Sequence, residues 1–174
     1  MNHLKPLDQP IRKIFLCGRS EAGKTTLTQA IKGVDTIYDK TQYVNSWDVT
    51  IDTPGEYYEV KSLTMKALYC FSFESDLEGL VCAADEPFNI LVPGLPTCLN
   101  RPLIGIITKI HAPKANIPMV RQWLNDAGCS RIFEVDSKTG EGIEELRAYL
   151  ARPNPEKISI QEAIARQNQA LSEW

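Results

Sequence analysis

Apolar residues in this chain gather into short runs, separated by stretches in which they recur every three or four positions. Leu77 to Ala84 (LEGLVCAA) and Leu103 to Thr108 (LIGIIT) are nearly continuous apolar runs, the pattern of strands buried on both faces. Ile11 to Cys17 reads as an earlier strand, Val49-Thr50-Ile51 as a short one ending at Asp52, and Ile132 to Val135 as a late one. Helical periodicity fills the gaps: Lys24 to Lys32 closed by Gly33, Val60 to Phe71, Asn116 to Ala127 stopped by Gly128, and Gly142 to Ala151. In the second of these, Leu63, Ala67, Leu68 and Phe71 share a face. Strands that alternate with helices predict an α/β fold of three layers, a mostly parallel central sheet between helices.

Proline-bearing stretches at 5–10, 93–102 and 153–155 mark loops or boundaries. They divide the 174 residues into an N-terminal extension (1–10), one α/β domain (11–151) and a C-terminal tail (152–174). In the tail, Ile160, Ile164, Leu171 and Trp174 fall along one helical face, interrupted by Gln167. Such a helix either docks on its own domain or binds a partner.

Composition narrows the class. At 43% hydrophobic and 24% charged the chain is of globular type. No apolar run approaches the roughly 20 residues that span a bilayer. A net charge of −3, with the signs mixed along the chain, lacks the basic footprint of a nucleic-acid binder. Cysteines 17, 70, 82, 98 and 129 form no Cys-x-x-Cys pair, which suits a reducing compartment. The N-terminus lacks the apolar core of a secretory signal, so a cytoplasmic location is expected. His3 and His111 are too few for a histidine-rich metal site.

The segment Gly18-Arg19-Ser20-Glu21-Ala22-Gly23-Lys24-Thr25 fits G-x-x-x-x-G-K-[ST], between an apolar strand and a helix that continues with Thr26. Its glycines let backbone N–H groups converge on phosphate oxygens. Lys24 sets a cation against the β- and γ-phosphates, and Thr25 offers a hydroxyl to Mg²⁺. The positive end of the following helix faces the same anion. At the end of the short strand, Asp52 is placed to hold Mg²⁺ through a water, and Gly55 to offer an unobstructed N–H to the γ-phosphate.

GRSEAGKT, Asp52-Thr53-Pro54-Gly55 and Ser137-Lys138-Thr139-Gly140-Glu141-Gly142-Ile143 resemble signature segments of the small Ras-like GTPases. More narrowly, the GKTTL start, Lys40-Thr41-Gln42 and Ile51 to Tyr57 (IDTPGEY) resemble the EutP/PduV family of ethanolamine- and propanediol-utilisation proteins, which are encoded with bacterial microcompartments. The resemblance spans about residues 11 to 150 and implies a P-loop NTPase with a Ras-like G domain. It makes Thr41 a switch threonine that adds a second hydroxyl to Mg²⁺, and it places Glu56 where a glutamine orients the attacking water. A carboxylate there repels the γ-phosphate, so slow hydrolysis is expected.

Thr108-Lys109-Ile110-His111 stands in the place of N-K-x-D, and His111 replaces the guanine-reading carboxylate. An aspartate accepts two hydrogen bonds from guanine, whereas a neutral histidine has one acceptor. Lys109 can still pack along base and ribose, and Ser137 and Lys138 can cover the base from the other side. Purine binding is therefore expected, with ATP and GTP both open. The leading expectation is a Mg²⁺-dependent purine nucleotide-binding protein with weak NTPase activity, whose switch segments or tail engage a microcompartment shell or cargo protein. Alternatives are an acetate kinase-like phosphotransferase, an activity the ethanolamine branch of the resemblance implies, and an adaptor in which nucleotide is structural. Arg19 and Lys40 are candidates to neutralise an incoming carboxylate but read more simply as solvated surface charges.

Overall fold

The computed structural model describes residues 12–33 and 73–151, and the backbone of 45–46 and 50–52. The N-terminal extension, the helix expected over Val60 to Phe71 and the tail from 152 lie outside the described residues, as do Thr41, Gly55 and Glu56.

Six strands form one sheet in the order β2-β3-β1-β4-β5-β6. They are β1 (Ile14–Cys17), β2 (Asn45–Ser46), β3 (Thr50–Asp52), β4 (Leu77–Ala83), β5 (Leu103–Thr108) and β6 (Ile132–Glu134). Neighbours from β3 to β6 pair in parallel, and β2 adds an antiparallel edge to β3. The described helices are α1 (Lys24–Lys32), α2 (Ile117–Ala127) and α3 (Ile143–Leu150).

Alternation within each strand builds two cores. Phe15 and Cys17 share one face with Leu80, Cys82, Leu103 and Ile107, and Val120, Leu124 and Ala127 of α2 cover it. Ile14 and Leu16 share the other with Leu77, Val81, Ile104 and Ile106, beneath Leu27 and Ile31 of α1 and Ile143, Leu146 and Leu150 of α3. Each large aliphatic buried this way contributes about 1.5–3 kcal/mol. These are the three layers that the apolar runs predicted.

Several boundaries shift. β1 begins at Ile14, because the Arg12 N–H goes to the Leu150 carbonyl at 2.9 Å and the Lys13 N–H to Asp76 Oδ2 at 3.0 Å. The Arg12 guanidinium also lies 4.6 Å from the Tyr149 ring centre, which fastens the start of β1 to the end of α3. β3 covers Thr50–Asp52 and ends where the short strand was expected to end; Val49 lies outside the described residues. β4 ends at Ala83, although Ala84 still donates to the Thr108 carbonyl at 2.8 Å. Asn116 lies outside α2 as its cap, with Oδ1 accepting from Met119 N at 3.2 Å. Likewise β6 stops at Glu134, and Gly142 and Ala151 flank α3 as caps. A short 3-10 helix, Leu95–Cys98, lies within the proline-bearing stretch 93–102.

Candidate functional site

β1 delivers the chain to the sheet's C-terminal edge, where ligands bind in open parallel sheets. Gly18 follows Cys17 and packs its backbone against β4. A Cβ there would stand 2.1 Å from the Val81 carbonyl oxygen. The loop then curls: Glu21 (φ 63°) and Gly23 (φ 88°) are left-handed, and Ala22 between them is not. Alternation of this kind turns successive N–H groups toward one centre and makes an anion-binding concavity. Glu21 tolerates the unusual backbone with its side chain exposed.

Lys24 opens α1 with a side chain only 6% exposed. Its Nζ donates to the carbonyls of Gly18 and Arg19, each at 2.9 Å, so the ammonium folds back over the loop. Thr25 and Thr26 follow in the first turn, both half-buried.

Arg19 departs from the solvated charge expected of it. Its Nη1 lies 2.5 Å from Glu86 Oε1, and its guanidinium carbon is 4.9 Å from the Phe88 ring centre. Glu86 is nearly buried, so the ion pair fastens the phosphate loop to the segment after β4. Spacing gave no signal for this contact, since Glu86 stands 67 residues from Arg19.

Thr108, last in β5, is also buried. Its hydroxyl donates to the Ala22 carbonyl at 2.6 Å, which joins the Gly18–Thr25 loop to the segment expected to read the base. From that junction a cavity of about 370 Å³ extends between two loops. Gly23, Thr26, Thr108 and Lys109 line it together with His111, Ser137 and Lys138. Lys109 takes a left-handed backbone (φ 54°), and the Ala112 N–H bonds to its carbonyl at 2.9 Å. The two segments expected to flank a base thus line one space.

Asp136, also in the lining, was missed in the sequence. Its Oδ1 accepts from the N–H groups of Lys138 at 2.9 Å and Thr139 at 3.0 Å, an Asx-type turn that shapes the loop. The run Asp136-Ser137-Lys138-Thr139-Gly140 carries that signal. Ser137 Oγ is buried and has no hydrogen-bond partner among the described residues. A polar group left in this way fits a cavity built for a ligand with polar edges. His111 Nε2 meets Glu141 Oε2 at 2.7 Å.

Of the residues expected to hold Mg²⁺, Thr25 is the second residue of α1, and Asp52 ends β3 with its Cα in register with Leu16, beside the start of the loop. The Asp52 side chain lies outside the described residues, as does Thr41. No described helix is long and apolar enough to cross a membrane.

Sheet order, loop and cavity together define a P-loop protein with the fold of a GTPase G domain. More particularly, the chain belongs to the PduV-EutP family, ethanolamine utilisation - propanediol utilisation, whose family model matches residues 11–152. It is 38% identical over 141 residues to propanediol utilization protein PduV of Citrobacter freundii, covering 80% of this chain and 93% of the relative. It is 33% identical over 144 residues to the probable acetate kinase EutP of Escherichia coli K12, covering 81% and 90%. Among solved structures, Methanosarcina barkeri Roco2 bound to GDP matches with a TM-score of 0.55 at 20% identity, over 84% of this chain and 49% of that one. That likeness shows the fold alone.

Proposed function

We propose that this chain binds a purine nucleoside triphosphate with Mg²⁺ and hydrolyses it slowly, as a switch in ethanolamine- or propanediol-type metabolism. The observation that carries the reading is the continuity of the site: Lys24 folds over the loop, and Thr108 ties that loop to a cavity of about 370 Å³. Lys24 and the loop N–H groups hold the phosphates. Thr25, with Thr41 and Asp52, would hold the metal, which would supply positive charge beside the phosphates. Glu56 is the residue nearest in sequence to Gly55 that can orient water, and its negative charge makes hydrolysis slow. The tail or the switch segments around Thr41 and Gly55 engage a shell or cargo protein of a microcompartment.

Limited proteolysis with Mg²⁺ and di- or triphosphate tests the switch. Cleavage within residues 34–60 is expected to differ between the two nucleotides. Identical cleavage contradicts a switch and favours a purely structural role for the nucleotide.

A second reading draws on relatives named probable acetate kinases: transfer from nucleotide to a small carboxylate. Arg19 is a described cation of the loop and a candidate to meet an incoming carboxylate, and its pairing with Glu86 counts against that use. Formation of ATP from ADP and acetyl phosphate, absent in Lys24→Ala, would place the chain with that reading.

A further inference from the structure

The bond between His111 and Glu141 joins the segment after β5 to the loop before α3 at the wall of the cavity. Both side chains are more than half exposed, at 56% and 60%, so the pair is peripheral to the packing of the fold. Its consequence is chemical. A carboxylate only accepts, so Nε2 carries the hydrogen at this contact, and an uncharged imidazole in that tautomer keeps Nδ1 as its one acceptor.

We propose that His111 and Glu141 together form the base selector of the cavity: Glu141 holds the tautomer, and His111 Nδ1 presents a single acceptor that favours adenine over guanine. This rests on the reading of the cavity as a nucleotide site. The Watson–Crick edge of guanine carries two adjacent donors, the ring N1–H and the 2-amino group, whereas that of adenine carries one, the 6-amino group. One acceptor satisfies adenine and leaves a guanine donor unmatched, which is how a site built around hydrogen bonds rejects the wrong ligand. The unpartnered Ser137 Oγ can donate or accept and so suits either base. Asp136, the carboxylate of the same lining, spends Oδ1 on the N–H groups of Lys138 and Thr139, and in this proposal discrimination falls to His111.

The test measures dissociation constants of Mg·ATP and Mg·GTP for the full chain and for E141A, E141Q and H111D. The wild type is expected to favour ATP by about tenfold, the worth of one well-made hydrogen bond. E141A should lose most of that preference. E141Q should keep it, because its amide oxygen still accepts from Nε2–H. H111D, which offers two acceptors, should move the ratio toward GTP by about tenfold or more. Nitrogen-15 spectra of His111, one of two histidines, should show the Nε2–H tautomer. An Nδ1–H tautomer, or a ratio unmoved by E141A and H111D, overturns the proposal. GTP preference that disappears in E141A overturns it too, and makes Glu141 the guanine acceptor. Failure to bind either nucleotide, with Lys24→Ala indistinguishable from wild type, instead defeats the reading of the site itself.

Discussion

The Thr108 hydroxyl donates to the Ala22 carbonyl across 86 residues of sequence, at 2.6 Å and out of contact with water. Through this one bond the last residue of β5 holds the phosphate loop in register with the cavity. Thr108→Val keeps the shape and removes the donor, leaving the Ala22 carbonyl short of a partner. The expected cost is about 1–3 kcal/mol in denaturant unfolding. Nucleotide affinity should fall alongside it. An unchanged unfolding midpoint would show that the bond is dispensable.

Gly18 has no room for a side chain, since its Cβ would lie 2.1 Å from the backbone oxygen of Val81. Gly18→Ala must therefore push β1 and β4 apart or distort the loop. A loss of about 1–3 kcal/mol is expected, together with loss of nucleotide binding. Thermal unfolding and titration calorimetry on the same preparation check both effects.

The Arg19–Glu86 pair joins a partly exposed cation to a nearly buried carboxylate. Arg19→Ala strands that carboxylate and should cost about 1–3 kcal/mol. Adding Glu86→Ala should recover part of the loss, because the uncompensated charge goes with it. A double variant that is simply the sum of the two single ones would mean the pair is not coupled.

Glu78, in β4, is fully buried, and neither carboxylate oxygen has a hydrogen-bond partner among the described residues. Burial pushes its pKa from 4.5 up to about 8, with the nearby Arg101 charge pulling it partly back. Because the folded pKa is the raised one, the folded state holds this proton between pH 4.5 and 8 while the unfolded chain has released it. Stability is thus fully present below pH 4.5 and declines as pH rises toward 8, by as much as about 1.4 kcal/mol per pH unit. Glu78→Gln should flatten this slope, with its largest stabilising effect at pH 8 and little at pH 4. Equal pH profiles for the two proteins would contradict the assignment.

How much of this was legible in the sequence follows from the range of the forces involved. Leu77 to Ala84 and Leu103 to Thr108 announce doubly buried strands because both faces must be apolar, and GRSEAGKT announces its loop because backbone geometry demands glycine at set spacings. Asn45–Ser46 is too short to show alternation. The start of β1 is decided by partners of Arg12 and Lys13 far along the chain. The same holds for Arg19 with Glu86 and for His111 with Glu141: each pair is made by loops that the sheet brings together, and neither has a spacing to betray it. Asp136 is different, since a turn signature was present and went unread.

The central claim, that the loop closed by Lys24 binds nucleotide phosphates, is tested most directly by calorimetric titration of Mg·ATP and Mg·GTP into wild type and Lys24→Ala. The wild type should bind at least one of them, and removal of the cation should weaken that binding by about a hundredfold or more, the scale of a lost charge-assisted contact. Circular dichroism should show the variant still folded. Equal affinities in the two proteins, or no binding by a folded wild type, would contradict the account.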